Sequence, residues 1–193
     1  MKILVFTDVH GVFTILKKIA RKSQKADLLI CCGDISNFGK NLNKIFLFLK
    51  KVNKPLLIVN GNHETNENIN DFSKIYNYII NLHNNIYSTN DYEFYGWSGG
   101  GFSIKDEKLE KVIDKIKFNK KLIFISHTSP YKTKLDALNH DHVGSASIRK
   151  FIEKHRPILH FCGHLHENEG KRDRINNTLI INPGPYGKII NLK

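Results

Sequence analysis

Five short polar motifs recur along the chain in an arrangement that could bind metal ions. Each motif follows an apolar run that is typical of a buried strand. Their carboxylate, amide and imidazole groups are common ligands of divalent metals. The motifs, in chain order, are Asp8-Val9-His10, Gly33-Asp34, Gly61-Asn62-His63-Glu64, Ser126-His127 and Gly163-His164-Leu165-His166. Because the carboxyl ends of parallel strands meet at one edge of a sheet, the ligands of two ions could meet there.

The spacing inside the motifs favours shared ligation. Asp8 and His10 are two residues apart, and in an extended segment such residues point the same way, so they can bind one ion together. His164 and His166 repeat this spacing. A single motif of this kind is weak evidence, but five at successive strand ends predict a metal centre.

Asp34 is predicted to bridge two ions. A single carboxylate can give one oxygen to each metal of a pair about 3.5–4 Å apart. Asn62 offers a neutral amide oxygen to the second ion. Gly33, Gly61 and Gly163 each precede a site residue, where the lack of a Cβ permits a sharp turn and close backbone approach. The mixed oxygen and imidazole ligands suit Mn, Fe, Co, Ni or Zn better than Mg.

The elements that position these motifs alternate between strand and helix, which predicts parallel strands with right-handed crossovers and helices on the sheet faces. A helix over 71–82 is expected to begin at an Asp71 cap. The Gly99-Gly100-Gly101 run is interpreted as a tight turn rather than a phosphate cradle. The expected strands are 2–7, 27–32, 55–60, 85–89, 92–98, 121–126, 157–162, 178–182 and 187–192. The other expected helices are one that follows the first strand and ends near Gln24, 41–52, 106–117 and one capped by Ser145.

Size and composition indicate one domain, residues 1–193. The apolar runs are too short for a membrane span, and the first strand begins at once, so we expect a cytoplasmic protein with no membrane partner. The three cysteines lie in apolar strands and predict buried thiols. The net charge of +12 favours anionic partners, but the lysines are scattered, which favours a solvated surface over a nucleic-acid patch.

The joint order of the motifs resembles the calcineurin-like metallophosphoesterases, from Asp8 through His166 and on to Asn182-Pro183-Gly184. The resemblance implies a four-layer α/β/β/α sandwich of two mixed sheets flanked by helices, with the metal site at the carboxyl ends of the strands. It also implies the division of ligands. One ion would be held by Asp8, His10 and His166, the other by Asn62, His127 and His164, and Asp34 would bridge them.

His63 matches the family histidine that lies over the substrate phosphate without binding metal. The expected reaction is in-line attack of a metal-bound hydroxide on a phosphate ester, with His63 assisting the leaving group. Compact members of this family often cleave diesters, so a phosphodiesterase acting on a small phosphate ester or nucleotide is the leading hypothesis. A phosphomonoesterase, a nuclease and a non-catalytic metal-binding scaffold remain alternatives, and the oligomeric state is open, with a homodimer as one option.

Several polar residues are left outside this assignment. His83, His155 and His160 have no partner motif and are interpreted as structural. The long polar loop over 128–143 could cover the metals and contact substrate through His140 and His142, or lie on the surface. Glu64 is expected to orient a histidine or hold a loop near the metals.

Overall fold

A computed structural model of the chain describes residues 1–99 and 101–192. The strands are β1 (Lys2–Phe6), β2 (Leu28–Cys31), β3 (Leu56–Ile58), β4 (Ile79–Asn81), β5 (Ile86–Ser88), β6 (Tyr92–Trp97), β7 (Lys121–Ser126), β8 (Ala137–Leu138), β9 (Asp141–His142), β10 (Leu159–Phe161), β11 (Arg172–Ile175), β12 (Thr178–Ile181) and β13 (Lys188–Asn191). The helices are α1 (Phe13–Ser23), α2 (Leu42–Lys50), α3 (Asn66–Ile75), α4 (Glu107–Ile113) and α5 (Ala146–His155).

Two large mixed sheets form the centre of the fold. The first has the order β13-β1-β2-β3-β4, with β13 antiparallel to β1 and the other pairs parallel. The second has the order β11-β12-β10-β7-β6-β5, with a parallel centre from β12 to β6 and an antiparallel strand at each edge. The parallel strands of each sheet therefore end at a common edge, as the β-α alternation predicts.

The side-chain alternation along β1 shows how the layers are built. Leu4 and Phe6 pack into an apolar cluster with residues of α1, α2 and α3, whereas Ile3 and Val5 pack into a cluster shared with the second sheet. A third cluster joins the second sheet to α4 and α5. Because every second side chain of a strand faces the same way, a central strand with apolar residues on both faces needs a layer on each side. The four-layer α/β/β/α prediction is confirmed.

The predicted helix over 71–82 is wrong in position. Helix α3 begins earlier, where the Thr65 hydroxyl accepts from the Asn68 N–H and the Asn68 side-chain oxygen accepts from the Thr65 N–H. This reciprocal capping fixes the helix start before Asp71. The chain leaves the helix at Tyr76, and 79–81 join the first sheet as β4, parallel to β3. Residues 79–81, which helical spacing alone had assigned to a helix, therefore pair in the sheet.

Two further elements differ from the sequence interpretation. Strand β11 pairs antiparallel with β12 and was not predicted, because its charged residues lack an apolar run. The 128–143 loop contains the short hairpin β8-β9. Gly99 and Gly101 have positive φ, in keeping with the expected turn, while Gly100 lies outside the described residues. The three cysteines are buried and free, as predicted. Of the helices the structure describes, none has the length and apolar character needed to cross a membrane.

Candidate metal centre

The five motifs lie where five parallel strands end. The first three follow strands of one sheet and the last two follow strands of the other, so the site is built from both sheets. The strands that deliver them are β1, β2, β3, β7 and β10. Connections at the carboxyl ends of parallel strands form the usual ligand crevice of α/β folds, and this position agrees with the prediction from the strand order.

Asp8, His10 and His166 form one group of candidate ligands. Each offers an atom that lies within 4.8 Å of the other two. The Nε2 atoms of His10 and His166 are 3.1 Å apart, and His166 Nε2 is 3.7 Å from Asp8 Oδ1. Two imidazoles and a carboxylate at these distances can bind one divalent ion. These are the residues that the family resemblance implies for the first ion.

Asp34 lies at the centre of the imidazole cluster. Its Oδ2 atom is 3.9 Å from His10 Nε2, 3.8 Å from His63 Nε2 and 3.4 Å from His127 Nε2. The carboxylate belongs to two groups of candidate ligands, one with His10 and His63 and one with Asp8 and His127. His63 Nε2 is as close to Asp34 as the Nε2 atom of the predicted ligand His10 is. Distance alone therefore does not distinguish the predicted proton donor from the predicted ligands.

His127 is held in a fixed orientation by the backbone of the neighbouring strand end. Its Nδ1 atom is 2.8 Å from the carbonyl oxygen of Cys32, which accepts the ring N–H. Nε2 then faces inward, 3.2 Å from Asn62 Oδ1 and close to Asp34. Hydrogen bonding of one imidazole nitrogen to a carbonyl is the usual way in which the other nitrogen is presented to a metal.

His164 has a buried nitrogen without a hydrogen-bond partner among the described residues. Its ring lies 5.1 Å from the ring of His127, and its Nε2 atom is the unpaired one. Its backbone N–H donates to the carboxylate of Asp8. A buried polar atom without a partner is costly, and a missing ion is one of the usual reasons for it. His164 and His166 therefore lie in different parts of the site despite their close spacing.

Burial and charge set the protonation of the central pair. Burial raises the pKa of Asp34, but the hydrogen bond and charge of His127 and the backbone N–H of His63 outweigh it and lower the pKa to about 2. Burial lowers the pKa of His127, but Asp34 and Asp8 raise it to about 9. For His164, burial and the nearby charge of His127 lower the pKa to about 4. Near pH 7 these pKa values leave the Asp34 carboxylate ionised beside a protonated His127 ring, and a metal bound by His127 would displace that proton.

The backbone of four candidate ligands is not extended, contrary to the prediction from residue spacing. Asp8, His10, Asp34 and His164 have φ of 54°, 48°, 51° and 73°, in the left-handed region that non-glycine residues seldom adopt. The N–H of Asp8 donates to the carbonyl of Gly33, and the N–H of His10 donates to that of Asp34. Asp8 and His10 do lie together, as predicted, but through these bonds between loops rather than through strand geometry. Such strain concentrates at functional sites.

The glycines before the site residues are required by close contacts, which confirms the prediction. A Cβ on Gly61 would overlap Asp34 Oδ1 and lie 2.8 Å from His127 Cε1. A Cβ on Gly163 would overlap Thr7 Oγ1 and lie 2.5 Å from Asp8 Oδ2. Residues without a side chain therefore allow the ligand loops to approach each other.

Glu64 holds the loop that follows Asp34, in the kind of role predicted for it. Its buried Oε1 accepts from both the N–H and the hydroxyl of Ser36, at 2.7 and 2.6 Å. Asn37 Oδ1 is 3.2 Å from His63 Nδ1. Ser36, Asn37 and Phe38 were not predicted as site residues, although their position directly after the Gly33-Asp34 motif was a signal that this turn lies at the site.

The 128–143 loop is organised by the buried carboxylate of Asp136. Asp136 accepts from the N–H groups of Lys132, Thr133 and Gly144 and from His142 Nδ1, which is 2.8 Å away. His140 is exposed, and neither His140 nor His142 belongs to the candidate ligand groups found among the described residues.

The other histidines have contacts away from the candidate ligand groups. His83 Nδ1 accepts from the N–H of Ser98, His155 Nε2 is 2.8 Å from the carbonyl of Ile113, and His160 lies buried beside Ser126. The structural interpretation of these three residues agrees with those contacts.

Comparison with known proteins identifies the family. The family model described as calcineurin-like phosphoesterase (Metallophos) matches residues 1–168. An uncharacterized protein of Methanocaldococcus jannaschii, MJ1162, is 33% identical over 96% of this chain and 88% of its own length. Two solved structures share the fold. The protein TT1561 of Thermus thermophilus has a TM-score of 0.71 at 18% identity, over 95% of this chain and 88% of that one. A dimetal phosphatase from Danio rerio has a TM-score of 0.66 at 11% identity, over 94% and 86%. With its motifs at the strand ends of a two-sheet sandwich, this chain belongs to the calcineurin-like phosphoesterase family.

Proposed function

We propose that the protein is a phosphodiesterase that uses two divalent metal ions. The observation that carries this proposal is the position of Asp34, whose Oδ2 atom has the Nε2 atoms of three histidines from three other motifs within 3.9 Å. A carboxylate shared in this way can serve two ions at once. The family membership supports hydrolysis of phosphate esters, and the dimetal phosphatase from Danio rerio has a similar fold.

The donor set fits two metal ions. Asp8, His10 and His166 would hold one ion, Asn62, His127 and His164 the other, and Asp34 both. The buried, unpaired Nε2 of His164 supports the second position, because an ion would give this atom a partner. The mixture of imidazole and oxygen donors suits Mn, Fe, Co, Ni or Zn. When bound, the ions would supply Lewis-acid activation of water and neutralise charge on the phosphoryl oxygens.

The chain's own residues would position the ester and move the proton. Asn37 lies beside Nδ1 of His63, and Nε2 faces the centre, 3.8 Å from Asp34 Oδ2. This orientation would let Nε2 donate a proton to the oxygen of the departing alcohol. Gly61 and Gly163 allow their loops to pack directly against Asp34 and Asp8.

The preference for diesters is argued from charge. A monoester carries a dianionic phosphate, which favours a lysine or arginine close to the metals. Among the described residues, the cationic groups paired with Asp8 and Asp34 are histidines only. The Lys132 ammonium lies over the Tyr131 ring, 5.5 Å from its centroid. A singly charged diester suits this environment.

The test is hydrolysis of bis(4-nitrophenyl) phosphate and of 4-nitrophenyl phosphate with Mn, Ni, Co, Fe, Zn and Mg. We expect turnover that needs added metal and is faster for the diester. Faster cleavage of the monoester would establish the phosphatase alternative. Absence of turnover with every metal, in protein that binds two ions, would establish a scaffold instead. For a nuclease, affinity for an oligonucleotide would fall steeply as salt is added.

A further inference from the structure

An exposed phenylalanine lies directly against the predicted proton donor. The ring of Phe38 stacks on the ring of His63 with centroids 4.0 Å apart and an angle of 29° between the planes. The residue is nevertheless 70% exposed, the largest value among the exposed large apolar residues. A phenylalanine this exposed contributes little buried apolar area to the core, and its ring leaves an apolar surface open to solvent beside His63.

The turn that carries Phe38 holds this side chain in place. Phe38 has φ of 51°, a left-handed conformation that glycine or asparagine adopts more readily than a bulky residue. The N–H of Lys40 donates to the carbonyl of Asn37, and the N–H of Gly39 donates to the Ser36 hydroxyl. Ser36 is in turn held by the buried Glu64. A strained, well-anchored and exposed aromatic residue at an active site indicates a binding role.

A second exposed phenylalanine lies beside the other end of the candidate ligand set. Phe102 is 59% exposed, and its ring centroid is 5.1 Å from that of His164. Phe38 follows β2 of the first sheet along the chain, whereas Phe102 follows β6 of the second sheet. Each sheet therefore contributes one exposed aromatic ring next to a histidine of the site.

We propose that Phe38 and Phe102 are substrate-contacting residues that select phosphodiesters with aromatic or heteroaromatic ester groups, such as those of nucleosides. Phe38 packs against the leaving group, because it adjoins His63, and Phe102 packs against the group that stays on phosphorus. Planar rings stack on aromatic side chains, and nucleobases do so without a strict sequence requirement. This inference rests on the proposed function and adds the class of substrate.

The competing role for Phe38 is to orient His63 only. In that role, the loss of Phe38 would lower affinity and kcat/KM by the same factor for every ligand and substrate. A substrate contact, in contrast, changes the preference for aryl over methyl groups. The ratio between matched ligands therefore separates the two roles.

The first experiment is calorimetric binding of phenylphosphonate and methylphosphonate to the Mn-loaded protein. Wild type is expected to bind the phenyl compound about tenfold more tightly, which corresponds to about 1.4 kcal/mol. Phe38→Ala should reduce this preference to below about threefold, and Phe38→Tyr should retain it, because the tyrosine ring can still stack. The control is Ile75→Ala, a change at a 64% exposed apolar residue at the end of α3, and it should leave the preference unchanged.

The second experiment addresses Phe102. Bis(4-nitrophenyl) phosphate and methyl 4-nitrophenyl phosphate release the same 4-nitrophenolate and differ only in the group that stays on phosphorus. Phe102→Ala should lower kcat/KM for the first compound about fivefold relative to the second, a loss within the range of one aromatic contact. Ile75→Ala should leave the ratio of the two rates unchanged.

Preferences that stay unchanged in both phenylalanine variants would overturn the inference. Equal loss of affinity for both phosphonates in Phe38→Ala would also overturn it, because Phe38 would then only orient His63. If wild-type protein hydrolyses these diesters but shows no preference for aryl groups, this inference is wrong and the proposed function still holds. Wild-type protein without metal-dependent binding or hydrolysis contradicts the proposed function and this inference together.

Discussion

At the residue scale, His63 differs from its neighbours in its hydrogen bonding. Its backbone N–H donates to Asp34 Oδ1, and its Nδ1 atom lies beside Asn37. The family resemblance predicts that its ring assists the leaving group, although its Nε2 atom is 3.8 Å from Asp34 Oδ2, near enough for a ligand. A variant can separate proton donation from metal binding, because a lost ligand changes the metal content and a lost proton donor does not.

The predicted result for His63→Gln is a fall in kcat of about 10²- to 10⁴-fold, the usual contribution of a positioned acid or base. Metal content, measured by elemental analysis after reconstitution with Mn, should equal that of wild type. His140→Gln, a change at an exposed histidine, serves as the control and should leave both quantities unchanged. A drop in bound metal in His63→Gln would show that His63 is a ligand.

His160 is a buried histidine whose ring stacks on Phe124, with centroids 4.9 Å apart. Burial lowers its pKa from 6.5 to about 3. Between these two pH values the unfolded chain binds a proton here that the folded chain does not. The contribution of His160 to stability is therefore present above pH 6.5 and is lost as the pH falls below it.

From pH 7 to pH 5, wild type should lose about 2 kcal/mol more unfolding free energy than His160→Phe, at about 1.4 kcal/mol per pH unit below 6.5. The phenylalanine ring keeps the stacking on Phe124 and has no proton to bind. Urea unfolding at the two pH values measures this difference. The same loss in wild type and variant would mean that His160 is not the group responsible.

At the element scale, the strand ends were predictable and the loop conformations were not. Apolar runs mark β1, β2, β3, β7 and β10, and a polar motif after each run is visible in the sequence. The left-handed conformations of Asp8 and Asp34 are imposed by hydrogen bonds between loops that are far apart in sequence. A local pattern does not contain these bonds, so extended geometry was assumed where the chain turns.

The shift of α3 has one local cause and one non-local cause. The spacing of Phe72, Ile75, Tyr76 and Ile79 suits one helix face, and Asp71 is a reasonable cap. The local cause is the capping box of Thr65 and Asn68, which is a stronger helix start signal than Asp71. The non-local cause is the pairing of β4, which includes Ile79, with β3. Capping by asparagine in place of the more common glutamate or glutamine made this signal easy to overlook.

Contacts between these elements predict different results for two glycine substitutions. Gly61→Ala places a Cβ against Asp34 and His127, so Mn affinity should fall at least about tenfold, because a misplaced bridging ligand costs about 1.4 kcal/mol or more. Gly96→Ala places its Cβ 2.7 Å from Val59 Cγ1 and 2.8 Å from Leu82 Cγ, inside the core. It should lower the unfolding free energy by about 1–3 kcal/mol and leave Mn affinity unchanged.

Metal titration and urea unfolding of the two variants measure both effects. The expected pattern is a selective loss of metal affinity in Gly61→Ala and a selective loss of stability in Gly96→Ala. Unchanged Mn affinity in Gly61→Ala would contradict the assignment of Asp34 and His127 as ligands.

At the scale of the whole molecule, the two sheets bring together residues that lie far apart in the sequence. His166 lies 3.1 Å from His10, and His127 lies 3.4 Å from Asp34. The pairing of β13 with β1 joins the two ends of the chain in one sheet. No local sequence pattern predicts these long-range pairings. The family resemblance implied that the five motifs meet at one site, and the structure gives the contacts between them.

The role of Asp34 as a ligand shared by two ions is tested by the number of Mn ions bound per chain in wild type and in Asp34→Asn. We expect two ions in wild type and fewer than two in the variant, with loss of metal-dependent diester hydrolysis, because an amide cannot offer two anionic oxygens to a metal pair. Asp71→Asn is the matched control at an exposed carboxylate, and it should bind two ions. Two bound ions and wild-type turnover in Asp34→Asn would contradict the shared-carboxylate site.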